Sequence, residues 1–181
     1  MRLLLSTLLL CLPLLAVAGP DEDRKELQEA RKEVLAQLYK EKPEAKAEIE
    51  KSKGYAVFSS FGMNLLVVST ARGGGILHDM GSGKDIYMSM FSAGGGIGLG
   101  VKDFGIVFVF NDEKALNEFE SSGWDFSAQA DATVETNQDS EGAETAATVV
   151  PGVEIYQITA SGVALQATLQ GTKYWKDDEL N

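Results

Sequence analysis

An α+β fold is what this sequence predicts: a mostly antiparallel β barrel or sandwich of about eight strands, with N-terminal helices and one helix within the body. Three observations carry the prediction. Residues 24–41 repeat apolar side chains at the helix period. From Tyr55 onward the chain changes to short runs of β-branched and aromatic residues, separated by glycine-rich turns. Within that second part a helical stripe returns once, between Glu113 and Ser121.

The chain starts with Met1-Arg2, an apolar run over residues 3–15 and the small-x-small triplet Ala16-Val17-Ala18. These are the three parts of a secretory signal, and cleavage is expected after Ala18. The apolar run falls short of the roughly 20 residues that span a bilayer, which argues against an anchor. Bulky Leu10 before Cys11 argues against lipid modification of that cysteine. The domain plan is then a signal over residues 1–18, a helical arm over 19–53 and a β-rich body over 54–181, arm and body forming one domain. Without its signal the chain holds no cysteine, so an ordinary apolar core must stabilise it.

Charge is unevenly spread over that plan. Residues 21–53 carry nine basic and ten acidic side chains, whereas residues 54–181 carry six basic and seventeen acidic. A body of that sign repels phosphate backbones, which excludes nucleic acid as a partner class. Any attraction to an anionic membrane has to be local.

In the arm, Leu27, Ala30, Val34, Leu35 and Leu38 fall on one arc of a helical wheel, and Glu26, Glu29, Glu33 and Lys40 lie opposite. Asp21, Glu22 and Asp23 suit the positive end of the helix dipole. Pro43 interrupts, and residues 44–52 read as a second short helix with Ala45 and Ile49 as its apolar face. The plain account of this arm is a helix lying on the body, and the alternative is a helix that inserts in a membrane.

In the body, residues 55–59 and 64–70 read as strands divided by Phe61-Gly62. Arg72-Gly-Gly-Gly75 reads as a turn, residues 76–79 as a continuing strand, residues 80–84 as a second turn and residues 86–91 as the next strand. Residues 94–101 then place Gly94, Gly96, Gly98 and Gly100 on one face, bare backbone that something must approach closely. Residues 106–110, Ile-Val-Phe-Val-Phe, read as a strand buried on both faces. Asn111 or Asp112 can cap the helix over 113–121, and Gly123 can stop it. Residues 126–134 alternate strictly, with small alanines on one side. An acidic loop over 135–148 follows, and residues 153–159 and 163–169 read as a closing hairpin turned at Ala160-Ser161-Gly162.

Reactive side chains are few. His78 is the single histidine, placed at a strand end where a solvated imidazole is the ordinary outcome. Serine and cysteine triads lack their parts unless His78 serves them, and a histidine-rich zinc site is excluded by count. The glycine runs match neither G-x-G-x-x-G between strand and helix nor G-x-x-x-x-G-K-[ST], so close packing explains them better than a phosphate. Asn137-Gln-Asp-Ser-Glu-Gly142 has the opening of a calcium loop, but Thr148 stands where the bidentate glutamate belongs. No metal or other cofactor is expected, nor any catalytic residue.

At Lys51-Ser-Lys-Gly-Tyr-Ala-Val-Phe58 the chain resembles the opening motif of the SYLF family, also called the Ysc84 actin-binding domain family. The likeness continues in order through Arg72-Gly-Gly-Gly75, the glycine strand, Ile106-Val-Phe-Val-Phe-Asn-Asp-Glu-Lys-Ala-Leu116, Asp131-Ala-Thr-Val134, Glu154-Ile-Tyr156 and Ser161-Gly162. It spans about residues 44–175, and the ordered set is what makes it specific. The resemblance implies a non-enzymatic lipid-binding domain, with membrane contact through an amphipathic helix and basic residues at its N-terminal side. The matching positions here are Leu27, Val34, Leu35 and Leu38, with Lys51 and Lys53 beside the opening motif. Actin, a partner of some members, is out of reach for an exported chain. A small exported domain resembles the bacterial members, which implies a periplasmic or outer-membrane-associated setting in a Gram-negative cell. The competing expectation is a structural or protein-interaction module with no lipid ligand.

Overall fold

Helix α1 runs over Pro20–Glu41 and begins as its sequence demands, with proline in the first turn and Asp21, Glu22 and Asp23 at its positive end. Leu27 and Leu38 are its buried residues. The amide of Lys42 closes it on Leu38 O at 2.7 Å, Pro43 follows, and α2 continues over Glu44–Lys51 with Ala45 and Ile49 buried. Ser52 ends α2 by donating its hydroxyl to Ile49 O at 2.8 Å. In the computed structural model the described residues are 19–65, 68–93, 103–126, 150–159, 162–164, 169 and 172–181. The expected leader, the expected glycine strand over 94–101, the alternating residues beyond Phe126 and the acidic stretch over 135–148, with its calcium-like opening, lie outside them.

The described strands are β1 (Gly54–Leu65), β2 (Val68–Asp79), β3 (Asp85–Ala93), β4 (Asp103–Phe110), β5 (Trp124–Asp125), β6 (Val153–Thr159), β7 (Gly162–Ala164) and β8 (Thr172–Lys176). They form one antiparallel sheet in the order β5-β8-β3-β2-β1-β4-β6-β7. This is the α+β architecture expected, with α3 (Glu113–Ser122) as the helix within the body. Asp112 is its cap, accepting from Ala115 N at 3.1 Å, and Gly123 stops it at φ 64°. A Cβ on Gly123 would also sit 2.1 Å from Tyr174 O, so glycine is required there twice over.

Three sequence expectations are corrected. Residues 55–70 are not parted at Phe61-Gly62: β1 runs straight through that pair to Leu65, with Gly62 opposite Ala71, and β2 begins at Val68. Arg72-Gly-Gly-Gly75 is not a turn: it is the middle of β2, where glycine serves close packing. Strand β8 was not anticipated, because Lys173 and the charges around it hide its alternation of Thr172 and Tyr174, both buried.

The sheet has two unlike faces. Ala56, Phe58, Leu77, Ile86, Met88, Met90, Ile106, Phe108 and Phe110 point inward to a core that also takes Phe119 from α3 and Tyr174 from β8. Strands β4 and β5 stand five positions apart in the sheet order, about 24 Å if the sheet were flat. Yet the rings of Phe108 and Trp124 are 5.7 Å apart, and those of Phe58 on β1 and Tyr174 on β8 are 4.7 Å apart. The sheet therefore curls on itself as a half-barrel around its aromatic residues. The opposite, outer face receives α1 and α2 over Val57, Val107, Val109, Tyr156 and Ile158.

Candidate functional site: the seam between arm and sheet

Where α1 crosses the outer face, the residues beneath it are small. Gly74 on β2, Ser59 on β1 and Gly105 on β4 lie side by side in register and make a shallow transverse bed. A Cβ at Gly74 would fall 2.7 Å from Leu27 Cδ2, and one at Gly105 would fall 2.8 Å from both Val34 methyls. Only glycine lets the helix come this near. Leu38 is fully buried further along, in a cluster with Ala45, Ile49, Val57, Val107 and Val109. Burial of a leucine of this kind contributes about 2 kcal/mol.

Polar contacts hold the other half of the helix. Asp85, at the start of β3, accepts from Arg31 Nη1 at 2.8 Å and from His78 Nδ1 at 2.7 Å on one oxygen, and from Gln28 Nε2 at 3.1 Å on the other. A carboxylate can only accept, so the His78 proton sits on Nδ1. Burial pushes the Asp85 carboxyl up, but its hydrogen bonds from Arg31, Gln28 and His78 and the Arg31 charge outweigh this and hold it below the ordinary carboxylate value. Arg31 also donates to Gln28 Oε1, and Gln28 donates to the Tyr87 hydroxyl at 3.3 Å. One turn earlier, Arg24 donates to Leu180 O at 2.9 Å and lies 5.9 Å from the Tyr87 ring centroid. At the far end of the seam, the Tyr156 hydroxyl donates to Glu48 of α2, and burial followed by that carboxylate pushes the phenol up.

The predicted site residues thus divide. Leu27, Val34, Leu35 and Leu38 all line the seam: Leu27 and Leu38 are buried, Val34 and Leu35 half-buried. Lys51 and Lys53 stay exposed where α2 passes into β1, and there the Lys53 backbone pairs with Phe110 and Met80. His78 is not the solvated imidazole expected, since it is half-buried between Asp85 and the Tyr55 ring, whose centroid is 5.3 Å away. Among the described residues no hydroxyl nucleophile bonds to its other nitrogen, and no three His, Cys, Asp or Glu residues group as for a metal ion. Gln28, Arg31, Asp85, Gly74 and Gly105 were missed. The signal for Arg31 was present, because it falls with Arg24 on the same arc as Leu27, Leu35 and Leu38.

No family model matches the chain. Among curated proteins it is similar to the Beta cell expansion factor A of Aeromonas veronii, with 37% identity over 146 residues. That alignment takes in 81% of this chain and 54% of the relative, so the chain spans about half the length of the curated protein it matches.

Proposed function

We propose that this chain is an exported, non-enzymatic domain of the SYLF type that binds a lipid or envelope surface. The observation that carries the reading is the composition of the sheet-facing arc of α1. Within about 120° of the helix circumference it sets Leu27, Val34, Leu35 and Leu38 beside Arg24 and Arg31. An apolar stripe with arginines set within it suits the boundary between headgroups and acyl chains. The ordered SYLF-like motifs support it, as does similarity to a bacterial protein whose name describes a factor rather than an enzyme. The leader over residues 1–18 points to a periplasmic or outer-membrane-associated home in a Gram-negative cell. No helix among the described residues is long and apolar enough to cross a membrane.

Flotation of the mature chain with vesicles tests the reading. Co-flotation with phosphatidylglycerol-containing vesicles is expected, and absence of binding to neutral and anionic vesicles alike overturns it. The second reading, a structural or protein-interaction module with no lipid ligand, is favoured by one observation: the sheet already occupies Leu27 and Leu38, left 9% and 0% exposed. Leu35→Glu separates the two. Lost folding with unchanged lipid affinity supports the structural role, and lost affinity in a folded variant supports lipid contact.

A further inference from the structure

Both arginines of the sheet-facing arc are held by oxygen acceptors of the body, Arg31 by the Asp85 carboxylate and Arg24 by Leu180 O. A phosphate diester offers the same kind of acceptor, with a charge that the peptide carbonyl lacks. The attachment they secure is thin. Of the 22 residues in α1 only Leu27 and Leu38 are buried, and the bed beneath the first is the Gly74–Ser59–Gly105 row. Lifting the helix there uncovers small side chains and little apolar surface. Around Leu38 the opposite holds, because Val57, Val107 and Val109 lie 0–2% exposed beneath it. The N-terminal half of α1 can therefore rise while the Leu38 cluster stays packed as a pivot.

We propose that α1 is a strap released by anionic lipid: Arg31 exchanges the Asp85 carboxylate for a headgroup phosphate, and Leu27 and Val34 leave the glycine bed for the acyl boundary. This rests on the lipid-binding reading above and adds its regulation. Asp85 is the latch, since it joins α1 to β2 and β3 through three donors. Closed, the strap lowers apparent lipid affinity by the fraction of molecules that are open.

A reversible lock tests it. An ideal Cβ on Gly105 falls 3.4 Å from Val34 Cβ, close to the span of a disulfide, and the two Val34 methyls that would clash are absent from cysteine. The only native cysteine, Cys11, lies in the leader. The mature Val34→Cys/Gly105→Cys chain is compared, oxidised and reduced, on phosphatidylcholine vesicles with and without phosphatidylglycerol. Binding lost on oxidation and restored by reduction supports the strap. Equal binding in both states overturns it and leaves the lipid reading standing. No binding by the unaltered chain removes the lipid reading and the strap together. Asp85→Asn, which needs no cysteine, is expected to bind anionic vesicles about fivefold tighter as the open fraction grows, and unchanged or weaker binding overturns the latch. Exchange of the α1 amides should quicken with anionic vesicles but not with inorganic phosphate at equal concentration. Equal quickening by phosphate overturns the assignment to a lipid surface.

Discussion

The inner and outer faces of the curled sheet are built on opposite rules. Inside, Phe58, Phe108, Phe110, Phe119 and Tyr174 are all 0% exposed and meet edge-to-face, tilted or, for Phe108 and Phe110, stacked, with no charged group among them. Outside, the helix rests on glycine and serine and is tied by ionised groups that keep some solvent contact, 17% for the Arg31 side chain and 27% for Asp85. Large interlocked rings make a contact that opens only with the whole fold. Small residues and partly wet charges make one that can open by itself. The difference assigns stability to one face and adjustable docking to the other.

The strongest way to break that division is to cut the inner face. Phe108→Ala removes a ring that touches Phe58, Phe119, Trp124 and Tyr174, and should lower stability by about 3–5 kcal/mol in a single urea transition. If the arm alone came loose, the faces would not be separate. Gly105→Val works from the other side, driving a side chain into Val34. Overpacking of this kind costs about 1–3 kcal/mol, and here it should fall on α1. Proteolysis is expected to cut within residues 20–35 while the urea midpoint of the body moves little.

Legibility in the sequence followed the same divide. The continuous run of large apolar residues Ile106-Val-Phe-Val-Phe110 announced a strand buried on both faces, and cap residues announced α3. The outer face was harder because glycine carries two meanings. Gly73, Gly74 and Gly75 look like a turn until the register with β1 shows that they extend a strand. Asp85 and Arg31 lie 54 positions apart, so no local pattern joins them, and pairing of distant charges is decided only by the fold. The apolar stripe of α1 was visible as a stripe. What occupies it was not, since a membrane and a sheet ask for the same leucines.

Smaller effects sharpen the outer face. Asp85→Asn should weaken docking of α1 by about 1 kcal/mol, the modest size reflecting its residual solvent contact. Acid should do the same by protonation. Arg31 on α1, His78 on β2, Tyr87 on β3 and the nearby Tyr55 on β1 surround this carboxyl. Its folded value lies below the ordinary 3.8, so the contribution is complete above that value and is lost as pH falls through the folded one. Exchange of the α1 amides should therefore quicken below pH of about 4 in the native chain, and Asp85→Asn should abolish that dependence. A pH response that persisted in Asp85→Asn would move the latch elsewhere.

The smallest effect is expected at Lys51 and Lys53, which lie at the end of the arm but outside the seam. Exposed lysines without a buried partner change stability by no more than about 0.5 kcal/mol when neutralised. Lys51→Gln/Lys53→Gln should keep the urea midpoint and the protection of α1 unchanged, yet weaken binding to phosphatidylglycerol vesicles and flatten its salt dependence, because each charge near an anionic surface contributes about 1 kcal/mol. The arm would then hold two separable instruments: lysines that draw the chain to the surface without touching the fold, and an apolar arc that reaches the surface only after the fold lets it go. If the lysine pair changed α1 protection as well, attraction and release would be one event, and the outer face would be less independent of the body than its small residues and charges imply.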